Sequence, residues 1–281
     1  MYVAVRHAGP VPFLERAEAW LLEREAEHNL ILSLAYGRVA SGAPEDDSFF
    51  ATIESEARVV GCAIRTPPHK VLVTDLPPES ASTLAEFLSS VYEEIPAVLG
   101  PFRAAEAVAT AWVAERGGGW RPGMEQRIYR LDSVTPPPGV PGTLREASMD
   151  DLELALDWGL GFERDVGMRL AIDRAVIERW IERGSLFIWE DGEPKSITVA
   201  QSPTPHGVRV GYVYTPPESR GRGYASACVA AVSQRMLDSG SSYCVLYTDL
   251  SNPTSNAIYQ RLGYYPIADV RDVDLIPGGV S

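Results

Sequence analysis

The stretch VYTPPESRGRGYASACVAAVSQRML, Val213 to Leu237, decides how the chain is read. It begins inside an aromatic, β-branched run, GVRVGYVYT, whose composition predicts a strand. It ends in ACVAAVSQRML, whose apolar spacing predicts a helix. Between them lie Arg220, Gly221, Arg222 and Gly223, two cations and two glycines in a row of four. A helix N-terminus exposes unpaired N–H groups and the positive end of the helix dipole. Glycine lets the backbone take positive φ and come close to a ligand. Guanidinium suits the geometry of phosphate. Strand, glycine-rich turn and helix together make a site for a pyrophosphate.

The chain around this stretch is acidic. It has 281 residues, 25 basic and 38 acidic, for a net charge of −13. Its length is comfortable for two domains, and 45% hydrophobic with 22% charged residues is an ordinary globular balance. The charge argues against a nucleic-acid partner or an anionic membrane surface. The three cysteines, Cys62, Cys228 and Cys244, match no zinc or redox spacing, so no metal is expected. The N-terminus carries no apolar run of the signal-peptide kind, and no run is long enough to span a bilayer. The expectation is a cytoplasmic protein with reduced, buried thiols.

DSVTPPPGVPG, Asp132 to Gly142, is the clearest linker, since its prolines and glycines continue neither a helix nor a central strand. The parts on either side repeat one another. TPPHKVLVTDLPPES, Thr66 to Ser80, matches PTPHGVRVGYVYTPPES, Pro203 to Ser219. Upstream, FFATIESEARVVGCAIRT and LFIWEDGEPKSITVAQSP each predict a strand, a polar turn and a second strand. Downstream, each half offers a helix, a short apolar run, a second helix and a final extended run. The halves differ after PPES: ASTLAEFL follows the first, RGRGYASA the second.

Three cofactor classes use a glycine-rich turn of this kind. A P-loop needs a lysine followed by Ser or Thr, and none is present. A dinucleotide site needs a third glycine and a following βαβ sheet, for which the chain after Gly223 is too short. Coenzyme A is the third.

Arg220-Gly221-Arg222-Gly223-Tyr224-Ala225 resembles the R/Q-x-x-G-x-G/A motif of the GNAT superfamily, the acetyl-CoA-dependent N-acetyltransferases. LYTDLSNPTSNAIYQRLGYYPI resembles the same family's fifth strand, fourth helix and final strand, with Asn252, Asn256, Tyr259, Gly263 and Tyr264 at the family's spacing. The strong match covers about Gly211 to Pro266, and residues 1–132 look like a degenerate copy. The resemblance implies an α/β protein with two tandem GNAT folds, 1–132 and 143–281, joined by 133–142. Each would be a mixed, mostly antiparallel sheet flanked by helices. It implies an enzyme of which only the second copy binds acetyl-CoA and passes acetyl to a primary amine of a small molecule or peptide. Monomer and homodimer both fit.

The roles it implies are specific. The backbone of Val213, Tyr214 and Thr215 would pair with the pantetheine arm. Arg220 and the N–H groups from Gly221 through Arg222, Gly223 and Tyr224 to Ala225 would hold the pyrophosphate. Asn252 and Asn256 would bond the cofactor, and Tyr259 would protonate the departing thiolate. The family often carries a glutamate on the fourth strand, and GVRVGYVYT has no acid. Glu163, Asp165, His206 or water must then take the amine's proton. Plainer readings stay open: Tyr259 as helix packing, Asn252 as an N-cap before Pro253, His206 as a turn residue, and the whole as an acyl-CoA-binding or regulatory module without turnover.

Overall fold

The computed structural model describes residues 1–42, 47–167, 172–201 and 203–278. The first half runs β1 (Tyr2–His7), α1 (Pro10–Leu22), α2 (Glu25–Ser41), β2 (Phe49–Ser55), β3 (Arg58–Arg65), β4 (Val71–Val73), α3 (Ala81–Val91), β5 (Ala97–Pro101), α4 (Phe102–Arg116) and β6 (Gly119–Leu131). The second runs β7 (Thr143–Glu146), α5 (Leu152–Val166), α6 (Arg174–Glu182), β8 (Leu186–Asp191), β9 (Glu193–Gln201), β10 (Gly207–Tyr214), α7 (Tyr224–Asp238), β11 (Tyr243–Asp249), α8 (Pro253–Arg261) and β12 (Tyr265–Ile276). The repeat read from the sequence is therefore a repeat of elements. Both halves have the expected mixed, mostly antiparallel sheet with flanking helices; β4–β5 and β10–β11 pair in parallel.

The chain divides into two compact units, and the division does not follow the linker. Met1–Ile128 forms the first unit together with Asp249–Ser251 and Ile267–Ser281, whereas Tyr129–Thr248 and Asn252–Pro266 form the second. The sequence reading assigned all of 143–281 to one domain. By spatial compactness, most of β12 groups with the first half and the last residues of β6 group with the second.

In the first unit the strand order is β1-β2-β3-β4-β5-β12-β6. Period-two alternation sends successive side chains to opposite faces. Phe49 meets Phe87 of α3 at 5.7 Å between ring centres, while Phe50 meets Phe13 of α1 at 5.5 Å. Leu84 and Leu88 of α3 and Val108 and Trp112 of α4 close one face over Val71, Val98 and Val273. Val270–Asp274 of β12 pairs antiparallel with Ala97–Pro101 of β5. Charge fixes its place. Lys70 Nζ donates to Asp272 Oδ2 at 2.6 Å, Arg127 makes a two-pronged bond to Asp269 at 2.6 and 2.8 Å, and Arg271 bonds both Glu106 and Glu125.

In the second unit Tyr129–Leu131 is followed across the sheet by β11-β10-β9-β8-β7. Val208, Val210, Cys244 and Leu246 pack under Val229 and Val232 of α7. Leu186, Ile188, Ile197 and Val199 pack under Leu152, Ala155 and Trp158 of α5 and Ile177 of α6. The Pro/Gly segment is tied down within this unit: Thr135 N–H donates to the Leu262 carbonyl at 2.8 Å, and Trp189 Nε1 donates to the Pro141 carbonyl at 2.9 Å.

Ending the chain after Pro266 removes β12 from beside β5 and opens the space filled by Val273. Calorimetric melting should then show loss of the first unit's cooperative transition. A truncated chain that keeps the full unfolding enthalpy would refute this account of β12.

Candidate functional site

β10 and β11 begin as a parallel pair and then part. Gly207, Val208 and Arg209 oppose Tyr243, Cys244 and Val245, and no further pairs follow, although β10 runs on to Tyr214 and β11 to Asp249. The cause lies on the other side of β10. Gly211 opposes Val199 and Tyr214 opposes Ile197, so Tyr212 and Val213 together face the single residue Thr198. That is a β-bulge, which bends and twists the strand that carries it. Tyr212 takes φ 52 there, a conformation that costs a non-glycine residue about 1–2 kcal/mol.

The bulge also exchanges the faces of the strand. Val208 and Val210 point to the α7 side, but Tyr212 and Tyr214, on the same parity, sit in the cluster under α5. One extra residue is enough to do this, because the side-chain period is two. The helix above accommodates the rings with glycine. A Cβ on Gly159 would come within 2.8 Å of the Tyr212 hydroxyl, and one on Gly161 within 2.3 Å of the Tyr214 hydroxyl. Two glycines inside a helix each cost about 1 kcal/mol relative to alanine, and this close approach is what they permit. Tyr212 Oη donates to the Ala155 carbonyl at 3.0 Å, and Phe162 and Trp180 flank its ring at 5.1 Å.

After β10 comes one helical turn, Pro217–Ser219, then the four residues Arg220–Gly223, then α7. Arg220 is extended, and Gly221 and Gly223 have φ of 76 and 86. The first α-helical bond of α7 is Ala227 N–H to the Gly223 carbonyl, at 3.0 Å, and no side chain caps the helix. The N–H groups ahead of Ala227 are left for solvent or a ligand. In the first unit the same PPES turn, Pro78–Ser80, runs straight into α3, with Ser80 and Ala81 already helical. The strands there do not part in the same way either: Leu72 still opposes Leu99, and a Cβ on Gly100 would meet the Val73 carbonyl at 2.6 Å.

The side chains around the joint have definite partners. Arg220 Nε donates to the Thr215 carbonyl at 2.9 Å, and its Nη2 to Asp165 Oδ2 at 2.5 Å. Its guanidinium is turned towards the end of α5. Arg222 is exposed. Tyr224 is buried and donates to Asp191 Oδ2 at 2.7 Å, which raises its pKa. Thr215 Oγ1 donates to Ser196 Oγ at 2.9 Å, and Ser196 Oγ to the Tyr214 carbonyl at 3.0 Å. Val213 packs towards α7 and α8.

Across the gap, Asn252 caps α8 through Oδ1, which accepts from Ser255 N–H at 3.0 Å. Asn256 lies one turn on. Its Nδ2 donates to the Asn252 carbonyl at 2.7 Å, and its Oδ1 accepts from the hydroxyl of buried Tyr129 at 3.0 Å. Gln260 Nε2 donates to that same hydroxyl at 3.1 Å. Both ends of the Asn256 amide are thus engaged in holding α8. Tyr259 is half-buried, 6.0 Å from the Tyr264 ring, and its hydroxyl bonds no protein group among the described residues. Burial pushes its pKa up to about 12.

The three candidate proton acceptors separate. His206 precedes β10, at the end of the strand opposite Tyr214, and its carbonyl accepts from Ser242 N–H at 2.7 Å. Asp165 carries the Arg220 ion pair. Glu163 stands near the bulge: burial first, then the Glu163 charge, raises the pKa of Tyr212. The sequence reading passed over Arg209, Tyr129, Gly159 and Gly161. A charge inside an otherwise apolar central strand was the available signal for Arg209. Tyr129 lies in the other half of the chain and gave none. Among the described residues no three His, Cys, Asp or Glu gather as a metal site. All three cysteines are buried, which pushes Cys228 and Cys244 up to about 12.

The family model described as FR47-like protein matches residues 195–271. No curated protein matches the sequence. Solved structures match along the whole chain. A GCN5-related N-acetyltransferase from Sphaerobacter thermophilus is 17% identical over 100% of this chain and 97% of its own, with a TM-score of 0.63. A tandem GNAT protein from the clavulanic acid biosynthesis pathway is 13% identical over 100% of both chains, with a TM-score of 0.58. A Drosophila protein from a structural genomics consortium is 14% identical over 99% of this chain and 100% of its own, with a TM-score of 0.69. At these identities the likeness is one of fold.

Gly221 and Gly223 should respond differently to alanine. Both conformations cost an L-residue about 1–2 kcal/mol, but only at Gly223 does the new Cβ also strike a neighbour, Val140 Cγ2 at 2.9 Å; at Gly221 nothing lies within 4 Å. Denaturant unfolding should show Gly223→Ala as the more destabilised. Equal losses would refute the contact.

Proposed function

From a tandem GNAT fold in which one joint of the two is rich in glycine, we propose that the chain is an N-acetyltransferase whose second unit uses acetyl-CoA. The observation that carries the reading is the joint at Arg220–Gly223. It presents unpaired N–H groups at the start of α7, beside the stretch of β10 that has left β11. The first unit has neither feature. One cofactor per chain follows.

In this reading the N–H groups from Gly221 to Ala225 hold the pyrophosphate, with Arg222 as a nearby cation. The free edge of Val213–Thr215 takes the pantetheine arm, and Asn252 lies across the gap. Asn256 is a positioning residue, held by Tyr129. The cofactor then lies on the α7 and α8 side, and the α5 side of the bulge is left to the acceptor. The amine attacks the acetyl carbonyl carbon, forming the C–N bond. Backbone N–H at Val213 or Tyr214 steadies the oxyanion. The C–S bond breaks as Tyr259 hydrogen-bonds the thiolate and gives it a proton. The amine's surplus proton passes to Glu163, directly or through water, which keeps the proton count balanced.

Calorimetric titration of acetyl-CoA tests the cofactor reading. One site per chain is expected, weakened at least tenfold by Arg222→Glu, which reverses the charge of an exposed side chain beside the Tyr224 hydroxyl. Two sites, or none, would overturn it.

Turnover has its own test. Tyr259→Phe should lower kcat by roughly 10²-fold or more while leaving the acetyl-CoA Kd unchanged. Its raised pKa keeps the phenol protonated through the neutral and mildly alkaline range, so the wild-type rate should hold its alkaline plateau up to at least about pH 10. Unchanged kcat in Tyr259→Phe would leave this side chain as packing.

A further inference from the structure

The face of β10 turned towards α5 carries a cation with no counter-ion among the described residues. Val208 and Val210 point to α7, so Arg209 and Gly211 point the other way, and beyond the bulge Tyr212 and Tyr214 share that face. Arg209 Nε donates to Gln201 Oε1 at 3.0 Å. Gln201 stands directly opposite it on β9. That is its one hydrogen bond, and no carboxylate pairs with its guanidinium among the described residues. The remaining N–H groups of the fork stay available. Burial lowers the pKa of Arg209, with the Tyr247 phenol acting in the opposite sense. The side chain nevertheless keeps partial access to solvent.

An arginine in a central strand without a carboxylate is unusual, because buried charge is costly unless it is paired. Several other arginines of this unit do have an acid: Arg145 has Asp151 and Glu190, Arg174 has Glu153, Arg220 has Asp165, and Arg235 has Glu146. Gly211, on the same face, adds no side chain beside Arg209; a Cβ built there would have its nearest neighbours on the Gln201 side chain, at 3.7 to 3.9 Å. Arg209 is two residues upstream of Gly211, about 7 Å along the strand, and the bulge begins immediately after.

We propose that the amine accepted by the second unit carries a carboxylate, and that Arg209 receives it. The inference rests on the acetyl-transfer reading and names the class of its acceptor. The bulge is where that reading puts the thioester carbonyl, so a group bound at Arg209 lies within a small molecule's length of the reacting carbon. Guanidinium takes a carboxylate through two parallel N–H bonds. One cation matches one carboxylate; a phosphate dianion calls for more positive charge than this face provides. Glu163, near the same bulge, faces the amine end. A guanidinium at one pole and a carboxylate at the other suit an amino acid or the like rather than a polyamine.

The test compares acceptors in matched sets: common amino acids, their methyl esters and their decarboxylated amines, each with saturating acetyl-CoA, with a phosphate-bearing amine as a further arm. The wild type should acetylate the carboxylate member at least tenfold faster, in kcat/KM, than its ester or amine. Arg209→Gln should abolish that preference by raising the acceptor KM, and Arg209→Lys should keep part of it. Both variants should bind acetyl-CoA with the wild-type Kd, which shows that they fold and that the cofactor reading stands. A preference for the ester, the plain amine or the phosphate, a preference that survives Arg209→Gln, or no carboxylate acceptor turned over by a protein that binds acetyl-CoA would each overturn the proposal. A failure to bind acetyl-CoA would instead overturn the acetyl-transfer reading beneath it.

Discussion

One extra residue in β10 sets up most of the site. Without the bulge at Tyr212–Val213, β10 would keep a single alternation to its end. Tyr212 and Tyr214 would then face α7, and the cluster of Trp158, Tyr212 and Tyr214 beneath α5 would not exist. The bulge is strained at Tyr212, and strain of that kind persists only where the surroundings over-determine it. Here they do. The hydroxyl of Tyr212 is bonded to α5, aromatic rings flank it, and the helix above has been thinned by two glycines to admit it. The open strand edge and the tyrosine-lined face follow from the same slip of register, which brings Tyr212 and Tyr214 to the face that Arg209 and Gly211 already occupy.

Joining two copies in one chain has changed each of them. Most of β12 ends in the first unit, where it lies beside β5 and supplies Val273 to the core. The end of β6 goes to the second unit, where Tyr129 reaches Asn256 and Gln260. Neither half of the sequence is therefore a complete unit on its own. The first unit has become a closed body: its PPES turn runs directly into a helix, and its parallel strands stay close where those of the second diverge. The four-residue joint and the gap between parallel strands occur together in the second unit, and the first unit has neither.

What could be read in advance was local. RGRGYA declares itself through residue types whose physics is short-ranged, and the PPES repeat shows because each copy keeps the same turn chemistry. Helix α8 announced its start with Asn252 and Pro253, and the cap is there. What could not be read was decided by partners far away in the chain. Nothing in PIADVRDVDL says that its arginine and aspartates will meet Lys70, Glu106, Glu125 and Arg127. The glycines of DWGLGFERD read as a weakened helix until the tyrosines beneath them are in place. Asp165 looked available as a base because its pairing with Arg220 bridges two segments that sequence spacing does not connect. His206 looked close to the site because it is close in number, but it sits at the wrong end of its strand.

Arg209 shows where whole-chain charge misleads. A net charge of −13 suggests cationic partners. At physiological salt, however, interactions between exposed charges fade over about 8 Å, so the sum over the surface says little about a half-enclosed strand face. There the field is set by the nearest charges, and on this face stands a guanidinium that, among the described residues, donates to a neutral amide. Desolvation makes that charge costly to leave alone. The same desolvation makes an arriving carboxylate worth more than it would be on the open surface. A net charge of −13 would slightly disfavour an anionic acceptor at long range. At contact distance the desolvated pair outweighs that penalty, because Coulomb energy grows as separation and local dielectric fall while the surface charges stay distant and screened.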